Sequence, residues 1–166
     1  MIIDFLLDAR AAAGVEMALV APMLLIIMLG STELGNYFLN EHSLMKAVRD
    51  GARFAARQNF SNYPTCTSVS TTLTDDTRNV VMYGYLSGSQ VLTPNITTGD
   101  ITVSTQCFTG TVGGETMTGL YKNRANGAQV VTVNASVPYR SILGSFGFTG
   151  IGMTLNASSQ AAVTGL

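Results

Sequence analysis

The feature that most constrains this chain is an uncharged run from Met17 to Thr32, MALVAPMLLIIMLGST. As a helix, its 16 residues rise about 24 Å at 1.5 Å per residue. A bilayer core is about 30 Å thick and wants about 20 residues. The flanks Ala11–Val15 and Leu34–Leu39 supply the difference, and they bring Glu16 and Glu33 to the two boundaries. An ionisable group at membrane depth is costly and marks a functional position. The plainer reading puts both carboxylates in the headgroups. Pro22 interrupts the run; it removes one helical hydrogen bond and should kink or loosen the helix, which membrane helices tolerate. A secretory signal peptide is the alternative. The leader MIIDFLLDAR is not basic, however, and Gly30–Glu33 reads GSTE, not a small-residue cleavage site.

The helix need not end with the apolar run. From Leu34 to Gln58 there is no proline and the period stays helical. At 100° per residue, Leu34, Tyr37, Leu44, Met45, Val48, Ala52 and Ala55 share an apolar face. Lys46, Arg49, Arg53 and Arg57 collect on nearly the opposite face, with His42 beside them. That stripe is either a solvated face or a surface that meets lipid headgroups or an acidic partner. Glu41 falls on the apolar side and needs a partner or partial exposure. The whole predicts one helix of roughly 40 residues, about 60 Å long.

Charge separates the chain into two parts. Residues 1–58 hold 11 of the 19 charges, and the following part is rich in Thr, Ser and Gly. Charged residues are only 11% of the chain, against about 25% in an ordinary soluble domain. The net charge of −1 gives no basic excess to attract nucleic acid. The expected organisation is a cytoplasmic leader over 1–14, a long helix over 15–58 with its transmembrane part at about 17–35, and an exported domain over 59–166.

The N-terminal segment resembles TadE-like proteins, pseudopilins of the tight-adherence (Tad) pilus. The resemblance rests on Arg10, the small patch Ala11–Gly14, then Val15-Glu16-Met17-Ala18-Leu19-Val20-Ala21-Pro22, then Glu33-Leu34-Gly35 with Tyr37, and Gly51-Ala52-Arg53. It implies a minor pilin or pseudopilin of the bacterial inner membrane, with its C-terminal domain outside the cytoplasm. It implies membrane lipid, other pilin subunits, the pilus assembly machinery and a prepilin peptidase as partners, and no cofactor. Processing would fall near Ala11, Ala12 and Gly14. Pilin cleavage usually follows a glycine; the residue five before Glu16 is Ala11, so cleavage after Ala11, after Gly14, or nowhere, all stay open. After cleavage Glu16 would pair with a neighbour's new N-terminal amine. Glu16, Pro22 and Glu33 become the helix-assembly residues. The count of basic residues disagrees with this topology. Only Arg10 precedes the run, whereas Lys46, Arg49, Arg53 and Arg57 follow it. The exported C-terminus is preferred because those four belong to a helix facing a domain of secreted character.

Cys66 and Cys107 lie 41 residues apart with no CxxC or metal-ligand spacing. A disulfide in an oxidising compartment is the expectation, and two buried thiols the alternative. Asp75–Leu86 suggests a short second helix with Thr74 as N-cap. Asp100–Phe108, Ala128–Tyr139 and, more weakly, Ile151–Val163 read as strands separated by Gly110–Gly127 and Ser141–Gly150. The expected fold is therefore α+β and pilin-like: a long N-terminal helix packed on a small antiparallel sheet of three to four strands. Val130–Arg140 followed by Ile142-Leu143 also resembles the C-terminal part of the family.

Other chemistry is poorly supported. Gly113-Gly114 lacks the remainder of a phosphate loop. Glu115 and Asp100 do not make a Ca²⁺ site on their own. No base is placed to join these carboxylates, or Asp75 and Asp76, in an enzyme site. The expectation is thus a structural assembly subunit of a Tad-type pilus and not an enzyme. A permanently anchored surface-binding or adhesin module is the competing reading.

Overall fold

The computed structural model describes residues 9–108, 111–112, 115–116, 119–122, 127–146 and 152–165. Helix α1 (Ala9–Ala56) is followed by α2 (Thr71–Tyr83) and by strands β1 (Ile101–Phe108), β2 (Thr111–Val112), β3 (Glu115–Thr116), β4 (Ala128–Pro138) and β5 (Thr154–Ala162). The predicted long helix is present, and at 48 residues it rises about 72 Å. The chain divides into two compact units: Met1–Phe38 with Ser141–Thr149, and Leu39–Arg140 with Gly150–Leu166.

The larger unit is the predicted α+β arrangement, a helix packed on a three-stranded antiparallel sheet. The order is β1-β4-β5. β4 takes the centre because it alternates strictly: Gln129, Val131, Val133, Ala135 and Val137 are buried, and the residues between them are not. Its neighbours match this register, with Val103 and Ser159 flanking Val133. One row of side chains therefore faces the helices along all three strands. Val131 and Val163 meet Ala55, Ala56, Tyr63 and Leu73 in one cluster.

On the part of α1 in this unit the buried positions are Leu44, Ala47, Val48, Gly51, Ala52, Ala55 and Ala56, a three–four spacing on one face. The expected apolar face was only partly right. Leu34 and Met45 are exposed, whereas Ala47 and Gly51 are buried. Side-chain bulk is what the expectation weighted; close packing selects small residues instead.

The second helix starts earlier than expected. Ser70 is the N-cap, in extended conformation, and its hydroxyl accepts from the Leu73 N–H. Thr74 lies inside the first turn and donates to the Ser70 carbonyl at 2.9 Å. This frame buries Leu73, Thr77 and Val81 on one stripe. Gly84, at φ 77°, ends the helix before Leu86 because the left-handed region suits a residue without Cβ. The segment expected to be irregular over Gly110–Gly127 contains the two-residue pair β2–β3.

Tyr63 ties the end of α1 to this core. It is 3% exposed, and its hydroxyl donates to the Ala55 carbonyl at 2.6 Å. Burial pushes its phenol above the ordinary value because the phenolate would be poorly solvated. The unfolded chain loses this proton near pH 10, while the folded chain keeps it. Stability should therefore be level below that pH and fall above it, at up to about 1.4 kcal/mol per pH unit for this group. Tyr63→Phe should flatten the alkaline fall and cost about 1 kcal/mol at neutral pH. Urea unfolding of both proteins from neutral pH to above about pH 10 checks this; parallel alkaline slopes would contradict it.

Candidate functional site

The site is the apolar part of α1 and the polar groups that bound it. The helix is long and apolar enough to cross a membrane, and none of its most apolar stretch is buried by the other described residues. Leu19 and Ile26 are 75% and 72% exposed. Monomeric soluble proteins rarely leave so much contiguous apolar surface in water. The helix also deals internally with its own polar groups, as a low-polarity surround demands. The Ser31 hydroxyl donates to the Ile27 carbonyl, and that of Thr32 to Leu29 at 2.8 Å. Pro22 lies inside the helix and supplies no N–H to the Ala18 carbonyl.

Glu16 and Glu33 stand 17 residues apart on α1, about 26 Å along its axis, close to the thickness of a hydrocarbon core. Glu16 is exposed. Glu33, by contrast, is buried, at 9% exposure. Its Oε2 accepts from the backbone N–H groups of Ile142 at 3.1 Å and Leu143 at 3.2 Å. Those N–H groups sit where the short 3-10 helix Leu143–Phe146 begins, the end of a helix at which N–H groups lack backbone partners. The Ser141 hydroxyl accepts the Gly144 N–H at 3.0 Å. Nothing local to Glu33 announces this contact; the only signal was that Ile142-Leu143 also lay within a family-like stretch.

The remaining expected residues fall as follows. Gly14 has open space around it. The side chains of Ala11 and Ala12, and residues 1–8 of the leader, lie outside the described residues. Lys46, Arg49, Arg53 and Arg57 are all exposed, with His42. Arg53 approaches Asp50 at 4.0 Å, and an exposed pair of this kind contributes little. Arg53, Phe54 and Arg57 border a shallow depression of about 360 Å³ with Asp50 and Gln58. Among the described residues no group of three or more His, Cys, Asp or Glu side chains is placed to hold a metal ion.

Cys66 and Cys107 are joined in a disulfide, with Cα atoms 5.0 Å apart. It fastens the segment after α1 to the last turn of edge strand β1. Gln129 is paired with Cys107 across the sheet. Its buried amide donates to the Thr65 carbonyl at 3.0 Å, so the same segment is held twice.

These features define a class: a small α+β domain carried on one N-terminal helix long and apolar enough to span a bilayer. More particularly, residues 11–53 match the family model described as TadE-like protein, and the chain carries that TadE-like segment. The family is one of pilus structural components. The match takes in Glu16, Pro22 and Glu33 and ends within the basic face; the sheet and the disulfide lie beyond it. No curated protein and no solved structure matches the chain.

Proposed function

We propose that this protein is a minor pilin or pseudopilin of a Tad-type, type IV-like pilus. It would be anchored in the bacterial inner membrane by α1 and would enter or prime the filament. One observation carries this reading: the unburied apolar span between Glu16 and Glu33 lies within the TadE-like match. In the membrane that surface meets lipid. In a filament the same surface meets the α1 helices of other subunits, so the exchange conserves burial of the helix. Glu16, exposed within its own chain, then takes its partner from a neighbour, and Pro22 leaves a carbonyl able to adjust.

We further place the leader over 1–14 in the cytoplasm and the domain over 59–166 outside it. The Cys66–Cys107 bond supports this orientation, because disulfides persist in oxidising compartments. The basic face of α1 is proposed to meet acidic groups of the assembly machinery. A prepilin peptidase acting near Ala11, Ala12 or Gly14 completes the proposal.

The test is intact mass and N-terminal sequence of the protein from native membranes, with and without the prepilin peptidase. A peptidase-dependent start between Ala12 and Val15 is expected. An unchanged Met1 start in both strains would remove the processing step and favour a permanently anchored surface module. In a processed protein, Glu16→Ala should leave membrane insertion intact while lowering recovery in sheared pili. Equal recovery would remove Glu16 from assembly.

A further inference from the structure

From Ser141 to Leu166 the chain carries no charged residue. The start of this stretch, Ser141–Gly144, belongs to the same compact unit as the apolar part of α1. It is held there by the two hydrogen bonds to Glu33. Ile142 is 47% exposed, and Leu34 and Phe38, on the helix beside Glu33, are 55% and 56% exposed. Apolar surface from two separate segments is thus left uncovered at one end of the span.

We propose that the Ser141–Gly144 loop is a second membrane-contacting element, which lays Ile142 and Leu143 into the headgroup–acyl boundary of the bilayer beside α1. The inference rests on the reading of α1 as a membrane helix. Non-helical backbone is tolerated near membrane depth only where its polar groups are satisfied. This loop meets that condition at three successive N–H groups. Those of Ile142 and Leu143 are taken by Glu33 and that of Gly144 by the Ser141 hydroxyl. The Glu33 carboxylate gains equally, since at a membrane boundary it must replace water with donors. Glu33 is therefore a positioning residue. It binds the loop to the helix at the edge of the apolar slab, where exposed Ile142 and half-buried Leu143 are placed to enter the boundary as an interfacial element does, by about 5–10 Å. Continuity with the spanning surface, and the lack of any charge in the loop, select lipid as the occupant.

The chain has no tryptophan, so single insertions report cleanly. Full-length L25W, I142W and Q160W proteins are placed in phosphatidylcholine–phosphatidylglycerol vesicles. The acyl chains are brominated either near the headgroup or near the chain end. Shallow bromine should quench I142W by about twofold, as expected for an interfacial depth. Deep bromine should quench L25W, and neither should quench Q160W, which lies on an exposed position of β5. E33A should abolish the quenching of I142W, and E33Q should retain it because its amide oxygen still accepts both N–H groups. An unquenched L25W would overturn the membrane reading and this proposal together. A quenched L25W with an unquenched I142W would overturn the loop proposal alone. Blue-shifted but unquenched I142W emission would likewise overturn it and assign the loop to a second copy. Equal quenching of Q160W would show adsorption without specificity and overturn it too. Quenching indifferent to E33A would remove Glu33 as the positioning residue.

Discussion

Breaking the Cys66–Cys107 bond should cost the folded domain about 3–4 kcal/mol. The bond closes a loop of 41 residues, and the chain-entropy account gives a penalty of about that size for such a loop. β1 is an edge strand, paired on one side only within the sheet order, so beyond its ladder with β4 the disulfide is what ties its far end to the segment after α1. The Gln129–Thr65 hydrogen bond and the single bridge between Thr65 and Ser68 remain after reduction, and each contributes about 1 kcal/mol at most. Full-length protein in detergent, oxidised and reduced, should differ in Tm by about 10–20 °C. The C66S/C107S variant should behave as the reduced protein. Alkylation and mass measurement of the protein from cells gives the redox state independently. Two free thiols in that material would argue against an exported domain, and an unchanged Tm would mean that the loop is already ordered without the bond.

Gly51→Val should destabilise by about 3 kcal/mol, at the upper end for overpacked cores. A Cβ at Gly51 would collide with Val81 Cγ2, and the Thr77 carbonyl stands 3.6 Å away. Val81 is fully buried and β-branched, so it has no second rotamer to retreat into. The close approach of α1 and α2 at Gly51 therefore depends on the missing side chain. Gly35→Ala is the contrast: nothing lies within 4 Å of its added Cβ, and alanine suits a helix better than glycine by about 1 kcal/mol. G35A should fold at least as well as the parent, whereas G51V loses a substantial part of its stability. Denaturant midpoints in detergent separate them; equal midpoints would show that α1 and α2 do not pack through Gly51. A G35A protein that folds normally yet is missing from pili would show that Gly35 serves contacts between subunits.

Much of this was readable in advance because it is local. The charge-free run and the proline-free continuation specify α1 through one period. The Val-rich alternation of Ala128–Pro138 specifies a strand buried on one face. The α+β class follows, since an alternating sheet and a helix with an apolar face must cover each other. The second helix shows the limit of local reading. Asp75 and Asp76 drew its start toward Thr74, but Ser70 won because only that frame buries Leu73 with Thr77 and Val81. Likewise Met45 looked like core and Gly51 did not, until the closeness of α2 made size count more than hydrophobicity.

By itself, then, the sequence determined the helical spine, the three strands of the main sheet and the apolar span with a carboxylate at each end, all carried by residues near one another in the chain. Only tertiary structure decided that Glu33 meets the N–H groups of Ile142 and Leu143, 109 and 110 residues away, or that Gln129 reaches Thr65. Such partners leave no periodic trace. A backbone N–H is present at nearly every residue, so which one a buried carboxylate finds is chosen by how the chain packs.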